Sequence, residues 1–298
     1  MNTTERTAAS TQNSAFDIAT DTRYLGETDK GTTIYTGVVS PDWCIGSVPH
    51  WFQTDPVALN AFYLRKTELG PCIVEIETIK PSKKGYVVLR FGLKQTKGKE
   101  KVALKNVEDY DSEMFLEKVH CIVTMANMAS EKGVTHMHKE LTPPDRSIME
   151  PFKHTFMGDF VEGLLDKSSL PSDYRYGKGK PEFNQLIGFS DGRPTDFKSI
   201  AYWCDMFVTP PAMLGWETLG GPSWCPTLQL EVQFKRPPTG KKVLSSIVAR
   251  HIINSRFDCE GGIWDEDGNL LAITRHQCLI VPWSRNTNYD SAAPKARF

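Results

Sequence analysis

The chain has 298 residues and a balanced charge, with 35 Lys and Arg against 36 Asp and Glu. This balance argues against nucleic acid as a partner, because nucleic-acid-binding proteins usually carry a basic excess or a basic stripe. Apolar runs stay well short of the roughly 18 residues that a membrane-spanning helix needs, which argues against a membrane protein. The length predicts two domains, or one domain built from two similar halves.

The two ends of the chain and its cysteines predict a soluble, cytoplasmic protein. Residues 1–21 are polar and are predicted to be disordered, without the apolar core of a signal peptide. Residues 284–298 form a tail that ends in Ala296, Arg297 and Phe298. These three loosely resemble a peroxisomal targeting tripeptide, so a peroxisomal location is the weaker alternative. Seven cysteines, scattered without a CxxC pair, indicate reduced thiols rather than disulfides or a zinc site.

Strand-like patterns dominate residues 22–142, which we interpret as the first of two units. Residues 72–79 alternate apolar and polar side chains, as a half-buried strand does, and residues 86–93 follow after a turn-like segment. Residues 115–129 and 134–138 predict a further pair of strands. The first unit is therefore predicted to be mainly antiparallel sheet.

A predicted crossover and a helix lead into the second unit. Residues 143–195 are rich in Pro, Gly, Ser and Asp, so we interpret them as a linker between the units. The second unit, residues 196–283, begins with a helix over about residues 197–208, which Asp196 would cap and Pro210 would end. Apolar side chains recur on this helix at the spacing of one buried face. Strand-like segments follow, and an Asp-Glu-Asp-Gly turn predicts a hairpin.

The two units share a similar order of residues. Residues 61–70 can be aligned with residues 231–240, so that in each unit a strand leads through a basic pair to a glycine turn and a second strand. This likeness predicts a duplicated unit, although two strands and a turn also match by chance in a β-rich chain.

Three polar residues of the second unit are candidates for chemistry. Asp205 lies in the apolar helix segment WCDMFV, where a carboxylate would need partners and partial burial would strengthen it as a base. The alternative for Asp205 is an ordinary exposed helix face. Thr227 begins a strand, where threonine is common without any function. Gln277 lies in an apolar strand, where its amide would be either functional or a satisfied structural group. Together these groups could hold and activate one water molecule.

The remaining motifs predict neither a metal nor a cofactor. His136 and His138 alternate on one predicted strand face, without a third ligand at suitable spacing. Residues 265–269 are similar to the start of a calcium loop, but the glutamate that closes such a loop is missing. The sequence contains no GxSxG, phosphate-loop or GxGxxG motif.

Several segments, read in order, resemble the double-hotdog acyl-CoA thioesterases of the acyl-CoA thioesterase II-like family, in particular its divergent fungal thioesterase-like members. These segments are residues 42–50, 55–65, 203–206, 226–228 and 263–272, together with Gln277. The similarity covers most of the chain, from Tyr24 to Pro282. It implies an α+β double hotdog, in which two antiparallel sheets each wrap a central helix and the active site lies between the units.

The resemblance also implies roles for the three candidates. Asp205 would act as general base on a water held by Thr227 and Gln277, and that water would attack the thioester of an acyl-CoA. CoA would leave as the thiol, without metal or redox cofactor. The apolar channel for the acyl chain is a further expectation, and its candidate lining residues are Trp203, Met206 and Trp224. A homo-oligomer is compatible with this family.

One departure from the family concerns the first unit. Between Pro49 and Pro56 there is no segment of helix length, so the central helix of the first unit is expected to be missing. Such a loss would uncover apolar area that a helix normally buries. Two alternatives therefore stay open beside thioester hydrolysis. One is a hotdog-fold dehydratase or cyclase of a fungal secondary-metabolite pathway, and the other is a non-catalytic acyl-binding protein.

Overall fold

One large antiparallel sheet forms most of the molecule. The structure, a computed structural model, describes residues 14–40, 55–83, 85–98, 100–136, 141–154, 157–172 and 179–285. Its helices are α1 (Ala15–Ala19), α2 (Phe197–Asp205) and α3 (Trp216–Leu219). Its strands are β1 (Thr22–Glu27), β2 (Thr33–Val39), β3 (Asp55–Tyr63), β4 (Gly70–Lys80), β5 (Val87–Thr96), β6 (Phe115–Ala126), β7 (Glu150–Phe152), β8 (Val161–Leu165), β9 (Glu182–Phe189), β10 (Ser223–Trp224), β11 (Thr227–Phe234), β12 (Lys242–Ile253), β13 (Arg256–Trp264), β14 (Leu270–Leu279) and β15 (Val281–Pro282).

The sheet has two halves that meet where β3 lies beside β11. Its 13 strands follow the order β1-β2-β4-β5-β6-β3-β11-β14-β13-β12-β9-β8-β7, while β10 and β15 form a separate pair. At the seam Ala61 pairs with Leu230 and Leu59 pairs with Val232, and all four side chains are buried. The apolar core therefore continues across the seam, and the two halves share it.

Helix α2 covers the inner face of this sheet. Its N-terminus is fixed by a capping box, in which the Asp196 side chain accepts from the backbone of Ser199 and the Ser199 hydroxyl accepts from the backbone of Asp196. Ile200 and Trp203 point into the core and are almost fully buried. Burial of an aliphatic side chain such as Ile200 contributes about 1.5–3 kcal/mol. The helix ends at Asp205, earlier than the sequence predicts, and Pro210–Leu214 forms a 3-10 turn instead.

Helix α1 is attached to the N-terminal end of α2. Phe16 packs on the ring of Phe189 with centroids 4.8 Å apart. Arg193 Nη2 lies 2.8 Å from Asp17 Oδ1, and Lys198 Nζ lies 2.9 Å from the same oxygen. Burial opposes ionisation of Asp17, but hydrogen bonds from these cations outweigh it and hold the pKa of Asp17 well below its ordinary value. Disorder over residues 1–21 is thus wrong from Ser14 onward, because Phe16 and Asp17 anchor the segment.

The predicted crossover, residues 143–195, is also wrong in part. It contains β7, β8 and β9, and β9 pairs with β12 over residues 182–188. Its Pro and Gly content suggested a loop, but Val161, Leu165 and Phe183 are buried and give it strand character.

Two other expectations concern the first half. Residues 134–136 form no strand, and Val134 is 98% exposed; residues 137 and 138 lie outside the described part. The expected loss of a central helix falls on residues 41–54, which also lie outside it. In the described ranges, no helix is both long enough and apolar enough to cross a bilayer, and no cluster of three potential metal ligands occurs there either.

Candidate active site

Asp205 and a histidine form the centre of the candidate site. Asp205 is the last residue of α2, and its side chain retains 21% exposure. Its Oδ1 lies 3.4 Å from Nδ1 of His276, whose side chain is completely buried on β14. A carboxylate at the edge of solvent thus lies beside an imidazole in the interior, and these two groups come from separate elements.

The hydrogen bonds of His276 fix which ring nitrogen carries the proton. Its Nε2 lies 2.8 Å from the backbone carbonyl oxygen of Cys204. A carbonyl oxygen can only accept, so Nε2 carries a hydrogen and donates it. The Thr274 hydroxyl donates to the Glu231 carbonyl, so its oxygen, 3.2 Å from Nε2, is free to accept as well. In the neutral ring the lone pair is therefore on Nδ1, on the side of Asp205.

Burial keeps the His276 ring neutral. It lowers the pKa of His276, and the charge of Asp205 and the bond to Cys204 only partly oppose this effect. Nδ1 makes no hydrogen bond within the described residues, since 3.4 Å to Asp205 is an ion-pair distance without hydrogen-bond geometry. Two acceptors, the Asp205 carboxylate and Nδ1, thus lie side by side. Nδ1 has no solvent-exposed surface, so a small molecule that donates to both acceptors has to enter between them from the exposed side of Asp205.

Gln277 lies on the other face of β14, so its predicted place beside Asp205 is wrong. Successive side chains of a strand point to opposite faces. His276 and Cys278 are buried on the α2 side, whereas Gln277 is exposed and lies opposite Gln229 and Asp258. The sequence prediction chose Gln277 for its amide group. Thr274 and Cys278 are buried, and the two-residue period of a strand places His276, between them, on the same buried face.

A β-bulge turns Thr227 toward the site. The register of β11 against β14 shifts between Thr227 and Gln229, so that Thr227 pairs with Cys278. The extra residue reverses the side to which Thr227 would otherwise point. The Cys278 thiol donates to Thr227 Oγ1 over 3.8 Å, which leaves the threonine hydroxyl hydrogen free to donate elsewhere. Thr227 consequently faces the same side as His276 and Cys278.

A buried polar chain holds the end of α2 that carries Asp205. Gln185 on β9 donates from Nε2 to the backbone carbonyl of Met206 over 2.6 Å, and its Oε1 accepts from His154 Nε2 over 3.0 Å. Burial lowers the pKa of His154 to about 4, with the bond to Gln185 acting against it. This neutral chain links the sheet to the residue after Asp205 and restricts the position of its carboxylate.

The three residues predicted to line an acyl channel differ from one another in burial and in their neighbours. Trp203 is completely buried, with its ring 4.5 Å from that of Phe189, so it fills the core and does not line an open channel. Met206 is 8% exposed at the C-terminal cap of α2. Trp224 is half-buried on β10, where it pairs with Val281.

Comparison with known sequences finds similarity in the second half of the chain. Residues 138–280 match the family model of the acyl-CoA thioesterase C-terminal domain. The thioesterase-like protein TwmA of Talaromyces wortmannii is 32% identical over 76 residues, which cover 24% of this chain and 22% of that protein.

Comparison with solved structures extends over nearly the whole chain. A conserved protein of unknown function with a hot dog fold from Alicyclobacillus acidocaldarius has a TM-score of 0.66 at 17% identity, and the match covers 90% of this chain and 98% of that one. A putative thioesterase II from Thermobifida fusca has a TM-score of 0.67 at 15% identity, covering 91% and 99%.

The large antiparallel sheet, α2 and these likenesses define a hotdog-fold protein. The match of residues 138–280 to the acyl-CoA thioesterase C-terminal domain confirms the resemblance drawn from the sequence motifs.

Proposed function

We propose that the protein hydrolyses an acyl thioester, such as an acyl-CoA, by direct attack of an activated water. The observation that carries this proposal is the pair of neighbouring acceptors, Asp205 Oδ1 and His276 Nδ1, 3.4 Å apart. A single water molecule can donate one hydrogen to each of them, which leaves its lone pairs directed toward a substrate carbonyl. The match of residues 138–280 to a thioesterase domain supports a thioester as the substrate.

The bond changes take place between this pair, one water molecule and the substrate. The water oxygen forms a bond to the thioester carbon while the pair takes one water proton, and the carbonyl oxygen becomes an anion. Collapse of this intermediate breaks the carbon–sulfur bond, and the proton held by the pair goes to the leaving sulfur. The products are a carboxylic acid and a thiol. The Thr227 hydroxyl, which faces the same side, can donate to the water or to the carbonyl.

The two halves of the sheet support a double hotdog as the detailed architecture. β3 and β11 lie side by side at the seam, and each is followed by a loop and a further long strand, β4 or β12. This arrangement agrees with the repeated order of residues 61–70 and 231–240. The site then lies near the seam, where an acyl chain could enter between the halves.

The test is thiol release from acyl-CoA substrates of short, medium and long chain, measured with a thiol-reactive dye. The same assay includes the corresponding acyl carrier protein thioesters, and a 3-hydroxyacyl-CoA is followed separately for loss of water. We expect thiol release from at least one chain length. Dehydration without thiol release would instead favour another hotdog chemistry, and tight acyl-CoA binding without turnover would favour a binding protein.

A further inference from the structure

Tyr63 brings a hydroxyl group from the first half of the sheet to the site. It is the last residue of β3 and lies on the same strand face as Leu59 and Ala61, which are buried in the shared core. The Tyr63 side chain packs against this core as well. Because β3 is the strand next to β11, its inner face continues directly into the face that carries Thr227.

Four neighbouring strands bring side chains of their inner face together near the end of α2. β11 and β14 contribute the pair Thr227 and Cys278, and β3 contributes Tyr63. β6 contributes Cys121, which pairs with Ala61, the preceding inner-face residue of β3. The electrostatic surroundings of the Tyr63 phenol contain the same groups: the Asp205 carboxylate and the thiols of Cys121 and Cys278 all act on it. Strand register and electrostatics thus agree that the phenol lies near Asp205.

The surroundings keep this phenol protonated. Burial, followed by the charge of Asp205, raises the pKa of Tyr63 well above its ordinary value. A tyrosine that cannot ionise in the working pH range is a permanent hydrogen-bond donor.

The site needs such a donor. Asp205 Oδ1 and His276 Nδ1 both accept, whereas the attack of water on a thioester creates an oxyanion that requires donors. We infer that the Tyr63 hydroxyl donates to the thioester carbonyl oxygen and stabilises this oxyanion. The first half would then supply a catalytic donor, while the second half supplies the base. This inference rests on the proposed thioester hydrolysis.

The experiment compares Tyr63→Phe with the parent protein in the thiol-release assay. Loss of one oxyanion donor is expected to lower kcat roughly 10²–10³-fold, with KM nearly unchanged. The ring is retained, so the melting temperature should stay close to that of the parent. Tyr24→Phe is the matched control, since Tyr24 is an exposed tyrosine on β1, and this variant should be as active as the parent.

Two results would overturn the inference. One is an active parent whose Tyr63→Phe variant retains full kcat. The other is a variant in which only KM changes, which would show that Tyr63 contacts the bound substrate without stabilising the oxyanion. If Tyr63→Phe fails to fold, 2,3,5,6-tetrafluorotyrosine at this position keeps the ring and the hydroxyl, and its four fluorines acidify the phenol strongly enough to offset the raised pKa of Tyr63. Its activity should then decline at an alkaline pH where the parent is still active, and an unchanged profile contradicts oxyanion donation. A parent without thiol release toward any thioester refutes the hydrolase proposal itself.

Discussion

Asp205→Asn is expected to lower kcat for thioester hydrolysis roughly 10²–10⁴-fold, the usual contribution of a positioned general base, with little change in KM. Asparagine keeps the shape of the side chain but cannot take a proton from water. Its amide can donate to His276 Nδ1, which otherwise has no hydrogen bond among the described residues, so the fold should be preserved. Steady-state thiol release and a thermal unfolding curve together measure both effects.

Asp258→Asn serves as the control for this substitution. Asp258 lies on β13 opposite Gln277, on the exposed face of the sheet, so the same chemical change there should leave kcat unaltered. An Asp205→Asn protein that releases thiol as fast as the parent would show that the base is elsewhere.

His276→Leu is expected to have an effect of similar size, for two separable reasons. It removes the Nδ1 acceptor beside Asp205, which should lower kcat roughly 10²–10⁴-fold. It also leaves the buried carbonyl of Cys204 without its donor, at a cost of about 1–3 kcal/mol in the free energy of unfolding. His251→Leu is the matched control, because His251 is an exposed histidine on β12.

The pH dependence distinguishes the neutral form of His276 from its charged form. Because the pKa of His276 is lowered on folding, the unfolded chain binds more protons than the folded protein as the pH falls below 6.5. Stability is therefore complete above this pH and decreases as the pH falls toward the lowered pKa. His154 acts in the same direction at lower pH.

Melting temperatures recorded from pH 7.5 to pH 4.5 test this explanation. The parent should lose more stability over this interval than His276→Leu, since the variant lacks one of the two buried imidazoles. The acid limb of kcat should likewise have its midpoint below 6.5, the ordinary pKa of histidine. Equal slopes for the two proteins would show that folding does not lower the pKa of His276, which contradicts this explanation.

Of the residues that the structure brings together at the candidate site, the sequence indicated Asp205 and Thr227 but not His276. Asp205 could be identified as unusual because an acidic residue in an otherwise apolar helix needs a special environment. The role of Thr227 could be predicted only from the family resemblance, because the direction of its side chain depends on a bulge that strand alternation does not reveal. Gln277 was chosen for its amide, yet the period of β14 places His276 on the inner face.

The fold was predicted in class but not in detail. The alternating segments identified β4, β5 and much of the second half, and Asp196 correctly marked the start of α2. Residues 143–195 were misread because turn residues outnumber the few buried apolar positions that place β8 and β9 in the sheet. The pairing of β3 with β11 joins residues about 170 positions apart, and local patterns contain no information on such a contact.

A single-turnover reaction in oxygen-18 water tests the central claim most directly. If the Asp205 and His276 pair activates water for direct attack, the acid released in the first turnover carries one heavy oxygen and the protein carries none. If Asp205 itself attacks the thioester, a mixed anhydride forms; when water cleaves it at the aspartyl carbonyl, the label enters the Asp205 carboxylate and the first acid released is unlabelled. Mass spectrometry of the product and of the peptide containing Asp205 reads out both positions. Label in that peptide would contradict the mechanism.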